Sequence, residues 1–551
     1  MGKATRNLTN RDWKSLLFVL IFAIAALAPA MVRGVPASRD LLHHFRLGVA
    51  FKEAFGRGDF YPSWLAEANG GYGDLSLRFY PPGLGSMLAA VQTVTGNWYV
   101  TALLVFTLLT FFGGVGAYFW ARVWLRPEMA IWAAGLFIFM PYRINELYQS
   151  SLLAEYAAAA ALPFVFAFTE RLCRNGGRRN IAGLAASYAV LVLTNLPITV
   201  IGSYALVVYL LLRIDWRRAF PTIWKFAAAL ALGLGASACF WVTVLAELPW
   251  LRPDNENAFS RANFIFASFR AQPGGTNIWY GNLIVLATVA ITLPALILFR
   301  RDDNSAHKSV WRSLGMFAVF SLFMSTIISF PLWEILPKLK EVQLPWRWLA
   351  VASTAPAIMV AASIDQWKEV AKSNRRPLAL LAAGTVLMSL AFTISHPIRE
   401  AMYLSESRFS ELVATVGGIT SIGPWFPKWL GERFLVIPQQ VLAGDRAVTV
   451  TAWDAEHRAF QVAAGTATEA RVHTFYYPLW SASASGNSLP VRADQDGTLM
   501  IALPAESVSV DLSFHEPRRS KISGITSILS ALLIALLAAL PHRRKKLIAD
   551  S

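Results

Sequence analysis

The stretch SLLFVLIFAIAALAPAMV at 15–32 decides the fold class. It carries no charged side chain and is long enough to cross the hydrocarbon core of a bilayer as a helix. Similar runs recur along the 551 residues, of which 55% are hydrophobic and 15% charged, and the mean hydropathy is +0.44. A soluble domain needs less apolar surface than this. The sequence therefore predicts a polytopic α-helical membrane protein, whose first run is an uncleaved anchor because it exceeds a signal-peptide core in length.

About twelve transmembrane helices are expected from the apolar runs. The predicted spans lie near 15–32, 98–120, 129–145, 155–172, 180–195, 197–213, 225–246, 281–299, 313–330, 348–364, 377–394 and 522–540. The run PPGLGSMLAAVQTVTG at 81–96 is interpreted as a re-entrant or surface helix, because counting it as a span would invert every later segment.

The net charge of +16 is distributed in a way that sets orientation. Lys and Arg occur in short clusters between alternate spans, such as RLCRNGGRR at 171–179 and RRKK at 543–546. Under the positive-inside rule these clusters are cytoplasmic. The pattern indicates a multi-pass membrane protein with both termini in the cytoplasm, and no basic domain points to a nucleic-acid partner.

Three regions follow from this map. Residues 1–394 form the transmembrane domain, with outer loops at 33–97, 142–154, 247–280 and 331–347. Residues 395–517 form an extracytoplasmic domain that is β-rich from about 446, where short alternating stretches are separated by turns such as SGN at 485–487. We interpret this part as a small β-sandwich before the last helix. Residues 518–551 form the C-terminal anchor and a basic cytoplasmic tail.

The first outer loop is where chemistry is expected. Asp40, His43 and His44 lie within about one helical turn, which would gather a carboxylate and two imidazoles if the stretch is helical. The same loop carries GDFYPSW at 58–64, NGGYGD at 69–74 and RFYPPG at 78–83, a density of Gly, Pro and aromatic residues typical of a shaped surface loop. The alternative is a solvated loop in which Asp40 only caps a helix.

The second outer loop supplies another acidic candidate. Glu155 stands at the start of a span, where a carboxylate is costly unless it is paired or faces a polar cavity. Arg143, Glu146 and Tyr148 lie nearby and are candidates for ligand contacts, although Arg143 and Glu146 could equally form an interfacial ion pair.

A third candidate precedes a later span. Arg347 follows Trp346 and a proline, in a place where a guanidinium can donate two hydrogen bonds to a phosphate. The alternative is an arginine that snorkels from an aromatic belt. The two cysteines, Cys173 and Cys239, indicate neither a disulfide framework nor a zinc site.

Several of these motifs together resemble the bacterial membrane proteins labelled 6-pyruvoyl-tetrahydropterin synthase-related. The resemblance rests on Asp40 and His44, the three loop motifs above, PYRINELY at 141–148, LLAE at 152–155 and VQLPWRW at 342–348. It implies a GT-C-like membrane glycosyltransferase fold, with an acidic residue in each of the first two outer loops and a sugar donor carried on polyprenyl phosphate. The chain departs from the family pattern at Ser63, at 74–78 and at 149–151.

The resulting hypothesis is sugar transfer from a polyprenyl-phosphate donor to a cell-envelope lipid, glycan or protein on the extracytoplasmic face. Asp40 acts as general base and Glu155 as the second catalytic carboxylate, which positions the acceptor. One acidic pair is too little to predict a metal, and no cofactor is predicted. The predicted substrate-binding residues are His43, His44, Arg46, Arg78, Tyr80, Arg143, Glu146, Tyr148, Trp346 and Arg347.

Two other functions stay open at this point. A transporter or flippase of a lipid-linked substrate would use the same outer groups, but it needs polar residues deep within several spans, and few are present. A non-catalytic scaffold would keep the fold and bind a partner through the β-rich part. The departures at Ser63, 74–78 and 149–151 favour this second alternative.

Overall fold

Helix α8 (Leu153–Asn175) lies at the centre of the helical part, and 89% of its most apolar stretch is buried. Its sequence AEYAAAAALP has small side chains on every face, so neighbouring helices approach closely. Helix α5 (Trp98–Ala121) shows this, because a Cβ atom added at Gly113 would lie 3.2 Å from the Cβ atom of Ala160. The central helix therefore places Glu155, in its first turn, inside the protein.

The computed structural model describes residues 10–37, 40–252, 259–268, 278–300, 305–416, 425–431 and 437–540. The other helices before the β-rich region are α1 Asn10–Arg33, α2 Leu41–Gly56, α3 Ser76–Phe79, α4 Pro82–Thr95, α6 Pro127–Ile138, α7 Pro141–Asn145, α9 Arg178–Thr194, α10 Leu196–Arg213, α11 Ala219–Ala236, α12 Ala238–Glu247, α13 Ile278–Arg300, α14 Ser305–Ser325, α15 Phe330–Ile335, α16 Trp348–Ala352, α17 Thr354–Lys372, α18 Arg376–Glu400 and α19 Glu406–Thr415. The last helix is α20, Arg518–Ala539.

The helical membrane fold is confirmed. Nine helices of the described part are long and apolar enough to cross a membrane, and each overlaps a different one of the twelve predicted spans. The other three predicted spans overlap α6, α9 and α14. Helix α4, at the run set aside as re-entrant, has 14 residues, fewer than the roughly 20 that span hydrocarbon.

Two predicted spans are interrupted. The run predicted at 225–246 forms two helices, since α11 ends at Ala236 and α12 begins at Ala238. Between them, the Ser237 hydroxyl donates to the Gly233 carbonyl at 3.0 Å. The run predicted at 129–145 ends as α6 at Ile138 and resumes as the short α7, because Pro141 cannot donate a backbone hydrogen bond to continue the first helix.

The predicted β-rich region is also present. Its strands are β3 Val441–Leu442, β4 Val448–Trp453, β5 His457–Val462, β6 Thr468–Phe475, β7 Trp480–Ala484, β8 Asn487–Leu489, β9 Val491–Ala493, β10 Thr498–Leu503 and β11 Val508–Phe514. They form antiparallel sheets in the orders β3-β6-β10-β9 and β4-β5-β11-β7-β8. Phe460 and Leu512 of one sheet share a core with Val472 and Ile501 of the other, as in a sandwich.

The first loop holds the sandwich against the helices. The Tyr72 carbonyl accepts a hydrogen bond from the Phe475 amide at 2.8 Å, and the His473 Nε2 atom lies 2.8 Å from the Gly70 carbonyl. Trp64 packs edge-on against Trp480, with ring centroids 5.7 Å apart. The loop predicted to carry the chemistry is thus folded, and it is shared between both parts of the protein.

Candidate active site

Glu155 is the centre of a buried polar cluster. Its Oε1 atom accepts a hydrogen bond from the Tyr142 hydroxyl at 2.5 Å, and its Oε2 atom lies 2.9 Å from Arg347 Nε. The second contact is an ion pair without the alignment of a hydrogen bond. Glu155 is only 1% exposed, so these two partners offset the cost of burying its charge.

Arg347 reaches Glu155 because of the backbone turn that precedes its span. Pro345, Trp346 and Arg347 form a 3-10 turn that leads into α16, and Arg347 Nη1 donates to the Val342 carbonyl at 2.8 Å. The side chain is 12% exposed. Its guanidinium is therefore engaged inside the protein, unlike that of a snorkelling arginine. The Trp346 ring lies 6.3 Å from the Tyr142 ring, which places this predicted residue beside the cluster.

Asp40 joins this cluster from the first loop. It precedes α2, and its side chain makes no capping hydrogen bond to that helix, contrary to the simple capping alternative. Its charge acts on both Tyr80 and Glu155. Burial, followed by the charge of Asp40, raises the pKa of Tyr80. We call Asp40, Tyr80, Tyr142, Glu155 and Arg347 the central cluster.

A short strand pair helps to place Asp40. Strand β1 (Val35–Ala37) runs antiparallel to β2 (Met402–Leu404), just before the first loop turns into α2. Gly34 has a φ of 120°, and a Cβ atom there would lie 2.2 Å from the Leu404 carbonyl oxygen. Only glycine permits this approach, so the pairing depends on it.

The two predicted histidines flank Tyr80. The Tyr80 hydroxyl lies 3.4 Å from His44 Nδ1, and its ring centroid lies 5.1 Å from that of His43. Burial and the charge of Arg46 lower the pKa of His43 to about 4. Burial and His43 lower the pKa of His44 well below its usual value. Both imidazoles are therefore neutral at pH 7 and can accept hydrogen bonds.

Arg46 is a buried cation with no hydrogen-bond partner within the described part of the chain. It is 2% exposed, and its Nε, Nη1 and Nη2 atoms are all buried without a partner. Burial lowers its pKa, while the charge of Asp74 raises it. An unpaired guanidinium of this kind is costly to bury, and a phosphate is a ligand that would satisfy it.

The predicted residues Arg143, Glu146 and Tyr148 do not share one environment. Both carboxylate oxygens of Glu146 are buried without a hydrogen-bond partner in the described residues, and burial, followed by the charge of Glu155, raises its pKa. Arg143 donates to the Tyr156 carbonyl at 3.0 Å and lies 3.7 Å from the centroid of that ring. The Tyr148 hydroxyl donates to the Ala26 carbonyl of α1 at 2.7 Å. Tyr148 thus anchors α1 and does not contact the central cluster.

Arg78 is placed differently from the prediction. Its Nη2 atom donates to Glu247 Oε1 at 2.6 Å, and its Nη1 atom is paired with Glu516. Glu247 also accepts from the Tyr477 hydroxyl at 2.7 Å and from Arg519 Nη2 at 2.9 Å. We call these five residues the junction cluster, because they join the first loop, α12, the sandwich and α20. Two carboxylates already satisfy Arg78, so its predicted ligand contact has no support in this geometry.

Three contributors to the site are not predicted from the sequence. Tyr142 is one, although it lies between a proline and the predicted Arg143. Asp74, whose Oδ1 atom accepts from the Ser76 amide at 2.6 Å, acts on both Arg46 and His43. Glu247, fully buried, resembled an ordinary helix end in sequence. A carboxylate at the end of an apolar helix was the available signal for Glu247.

A metal ion has no ready-made set of ligands here. Among the residues that the structure describes, no group of three or more His, Cys, Asp or Glu side chains is placed to hold one. The groups that do meet, namely carboxylates, neutral imidazoles and guanidinium ions, suit proton transfer and anion binding.

Most of the helical part matches a known protein family. A sequence profile of the family described as "6-pyruvoyl-tetrahydropterin synthase related domain; membrane protein" matches residues 77–398, more than half of the chain. The matched segment contains Tyr80, Glu155 and Arg347, while Asp40 and Arg46 precede it. No curated protein matches this chain.

Solved structures with a similar trace are larger proteins. A mutant form of arabinofuranosyltransferase AftD from mycobacteria has 16% identity and a TM-score of 0.46, covering 70% of this chain and 28% of that one. Arabinosyltransferase EmbB from Mycobacterium smegmatis has 14% identity and a TM-score of 0.39, covering 94% and 64%. The apo oligosaccharyltransferase from Archaeoglobus fulgidus has 11% identity and a TM-score of 0.39, covering 72% and 57%. The chain thus spans less than two thirds of each, and likenesses at these scores carry no conclusion about function.

Proposed function

The chain belongs to the 6-pyruvoyl-tetrahydropterin synthase-related family of membrane proteins, and on that premise we propose that it is a GT-C-like membrane glycosyltransferase. It moves a sugar from a polyprenyl-phosphate donor to a hydroxyl of a cell-envelope lipid, glycan or protein. The observation that carries the proposal is the meeting of three residues far apart in sequence: Glu155 and Arg347 form an ion pair, and Asp40 lies close enough for its charge to act on Glu155. Electrostatic groups converging from separate loops are typical of an active site.

The reaction divides between proton transfer and charge stabilisation. The acceptor hydroxyl gives its proton to the Asp40 carboxylate, and its oxygen forms a bond to the anomeric carbon of the donor sugar. The bond between that carbon and the phosphate oxygen breaks, and its electron pair stays with the phosphate. Glu155 orients Arg347 and Tyr142 beside the reacting groups, and so positions the acceptor.

Arg46 is the best candidate to stabilise the departing phosphate. Arg347 is already paired with Glu155 and hydrogen-bonded to the Val342 carbonyl, whereas the guanidinium of Arg46 has no hydrogen-bond partner in the described structure. His43 is close to both Arg46 and Tyr80, so a phosphate bound at Arg46 would lie near the central cluster. A guanidinium that is buried and unpaired before the donor binds needs no reorganisation when the phosphate charge develops.

Placement of this site on the extracytoplasmic face of a bacterial inner membrane is part of the proposal. It rests on the Lys/Arg clusters, which the positive-inside rule assigns to the cytoplasm. Reporter fusions after residues 178 and 372 are expected to report the cytoplasmic side, and fusions after 265 and 460 the outer side. An outward result at 178 would contradict this orientation.

A non-catalytic scaffold is the second candidate, and a specific observation favours it. Residues that depart from the family pattern have hydrogen-bond partners inside the protein. The Ser63 hydroxyl donates to Glu516, and Gln149 Nε2 donates to the Pro397 carbonyl at 2.8 Å. These positions serve packing between elements. Asp40 and Arg46 are not among these departures, so an experiment on Asp40 can separate the glycosyltransferase from the scaffold.

The deciding experiment compares cell-envelope lipids and glycans by mass spectrometry in cells with and without the gene. Loss of a pentose- or hexose-sized step is expected without it. Asp40→Asn keeps the shape of the side chain but removes the base, so it should reproduce that loss, with turnover reduced about 100-fold or more. Glu67→Gln, at an exposed acidic residue of the same loop, is the control and should restore the product. An Asp40→Asn strain with a normal envelope would favour the scaffold.

A further inference from the structure

A groove separate from the central cluster lies between α11, α12 and α20. Its volume is about 520 Å³. Small residues, Ala231, Gly235 and Ala238, leave room on one wall, and Ile522 and Thr526 line the other. The break between α11 and α12 at Ser237 lies beside this space. The walls are therefore almost entirely apolar.

The groove faces the surroundings of the helical bundle. Ile522 is 64% exposed, and Leu234 on the opposite wall is 38% exposed. Helix α20 is peripheral, with only 11% of its most apolar stretch buried. In a membrane, the medium at such a surface is the hydrocarbon of the lipid.

Two polar contacts join α12 to α20 beside the groove. The Cys239 amide donates to the Ser527 hydroxyl oxygen at 2.9 Å. Arg519, which lines the groove, donates from Nη2 to Glu247 Oε1 at 2.9 Å. Since a helix rises about 1.5 Å per residue, these contacts on α20 lie about 12 Å apart. The groove can thus hold a segment of hydrocarbon chain that ends beside Arg519.

The Arg519 end carries positive charge without a full set of partners. Arg519 Nε is buried and has no hydrogen-bond partner in the part of the chain that the structure describes. Arg518 and Lys521 are exposed beside it. The Tyr61 hydroxyl, also buried without a hydrogen-bond partner there, is within electrostatic reach of Arg78 and Glu247. Basic residues thus occur near both ends of α20: Arg518, Arg519 and Lys521 at its start, and RRKK at 543–546 after its end. The positive-inside rule explains a basic cluster on the cytoplasmic side of a span, so it accounts for only one of these two clusters.

We propose that this groove binds one anionic phospholipid of the surrounding bilayer, with an acyl chain between α11, α12 and α20 and its phosphate at Arg519. Apolar walls open to the bilayer select a lipid chain, and a basic group at the end of a helix selects an anionic head group. Arg519 also belongs to the junction cluster, so the bound lipid would support the contact between α20 and the sandwich.

The sugar donor is a less suitable occupant. The groove is lined by residues of α11, α12 and α20, whereas Asp40, Glu155 and Arg347 are carried by the turn before α2, by α8 and by the turn before α16. A donor must present its phosphate to the reacting groups, but a structural lipid has no such requirement.

The test uses the purified full-length chain, delipidated in detergent and titrated with phosphatidylglycerol or phosphatidylcholine under native mass spectrometry. One phosphatidylglycerol is expected to bind, about ten-fold or more tightly than phosphatidylcholine, because the basic residues contribute only to the anionic lipid. Ala231→Phe should abolish this binding by filling the groove. The control is Ala383→Phe, at an exposed alanine of α18, which should not change it.

Arg519→Gln should remove the preference between the two lipids, and its melting temperature shows whether the variant is folded. Equal affinity of the wild type for both lipids would overturn the proposal, as would unchanged binding in Ala231→Phe. Binding of an undecaprenyl phosphate but not of phosphatidylglycerol would also overturn it, because the groove would then belong to the donor. None of these outcomes depends on glycosyltransferase activity.

Discussion

Arg347 Nε lies 2.9 Å from Glu155 Oε2, and this ion pair joins the turn before α16 to the first turn of α8, whose most apolar stretch is 89% buried. Neither residue could be kept charged here alone, because an isolated buried charge is strongly disfavoured. The pair also brings Arg347 toward the side of the protein where Asp40 and Tyr80 lie. The geometry of this ion pair therefore affects both the stability of the fold and the proposed chemistry.

The first prediction concerns this pair. Glu155→Gln keeps the size of the side chain but leaves Arg347 without its charge partner, so we expect a loss of about 3 kcal/mol in the free energy of unfolding. The double variant Glu155→Gln with Arg347→Gln should recover part of that loss, because the unpaired charge is gone. Thermal unfolding of the purified protein measures both. Losses in Glu155→Gln and Arg347→Gln that simply add up to the loss in the double variant would mean that the pair does not interact.

The second prediction asks what the guanidinium shape of Arg347 contributes. Arg347→Lys keeps the charge but loses the planar guanidinium, which can donate two parallel hydrogen bonds. If Arg347 contacts the acceptor or the phosphate, substrate binding should weaken by about 1–3 kcal/mol. The measurement is the dependence of the rate on donor concentration in reconstituted protein. Lys338→Ala, at a 61% exposed lysine of the same segment, is the control. Equally small effects from both would limit Arg347 to holding its span in place.

The third prediction separates binding from stability at Arg46. Arg46→Met removes a buried, unpaired charge while filling most of the same space, so the melting temperature should rise. If Arg46 binds the donor phosphate, the donor concentration needed for half-maximal rate should increase about 10- to 100-fold in the same variant.

Arg57→Met, at an exposed arginine just after the same helix, provides the matched control for Arg46. It should change neither quantity. A lower melting temperature in Arg46→Met would instead indicate that Arg46 is paired with Asp74 and serves the fold.

The fourth prediction concerns the junction cluster. Glu247→Gln removes the charge that Arg78 and Arg519 share, in a place where Arg78 is 2% exposed, so we expect a loss of about 3–5 kcal/mol in unfolding free energy. Glu469→Gln breaks a surface pair with Arg492, which is 53% exposed, and should cost far less, because water screens the charges of an exposed pair. Thermal unfolding and the rate of proteolysis near residue 516 measure the difference. Similar small effects from both would show that the junction does not hold the two parts together.

The fifth prediction is a pH dependence from His43. Its pKa is about 4 in the folded protein and 6.5 in the unfolded reference. Between these values the unfolded chain binds a proton that the folded chain does not, so stability falls as pH decreases from about 7 toward 4. His43→Asn should make the melting temperature less dependent on pH over this range, while the neighbouring His44, whose pKa burial also lowers, keeps part of the dependence. His515→Asn, at an exposed histidine just after β11, should leave the dependence unchanged, and an equally steep profile in His43→Asn would contradict the assignment.

The sequence alone determined the membrane character, the positions of the helices and the β-rich region. These follow from the length of apolar runs and from alternation, which are local properties. Ser237 shows where this fails: nothing in the apolar run around it marked the break between α11 and α12, because serine is tolerated in a helix and its hydroxyl can bond the preceding turn.

Only the tertiary structure decided which predicted polar residues act together. Asp40, Glu155 and Arg347 had been selected separately, because each lay beside a membrane span, and the fold brings them into one cluster. Arg78 had the same sequence-level support as Arg46, yet one is paired with Glu247 and Glu516 while the other has no hydrogen-bond partner in the described structure. The physical reason is that the charge partner of a buried residue comes from a distant segment, so pairing depends on how the helices pack, whereas hydropathy along the chain depends only on neighbours.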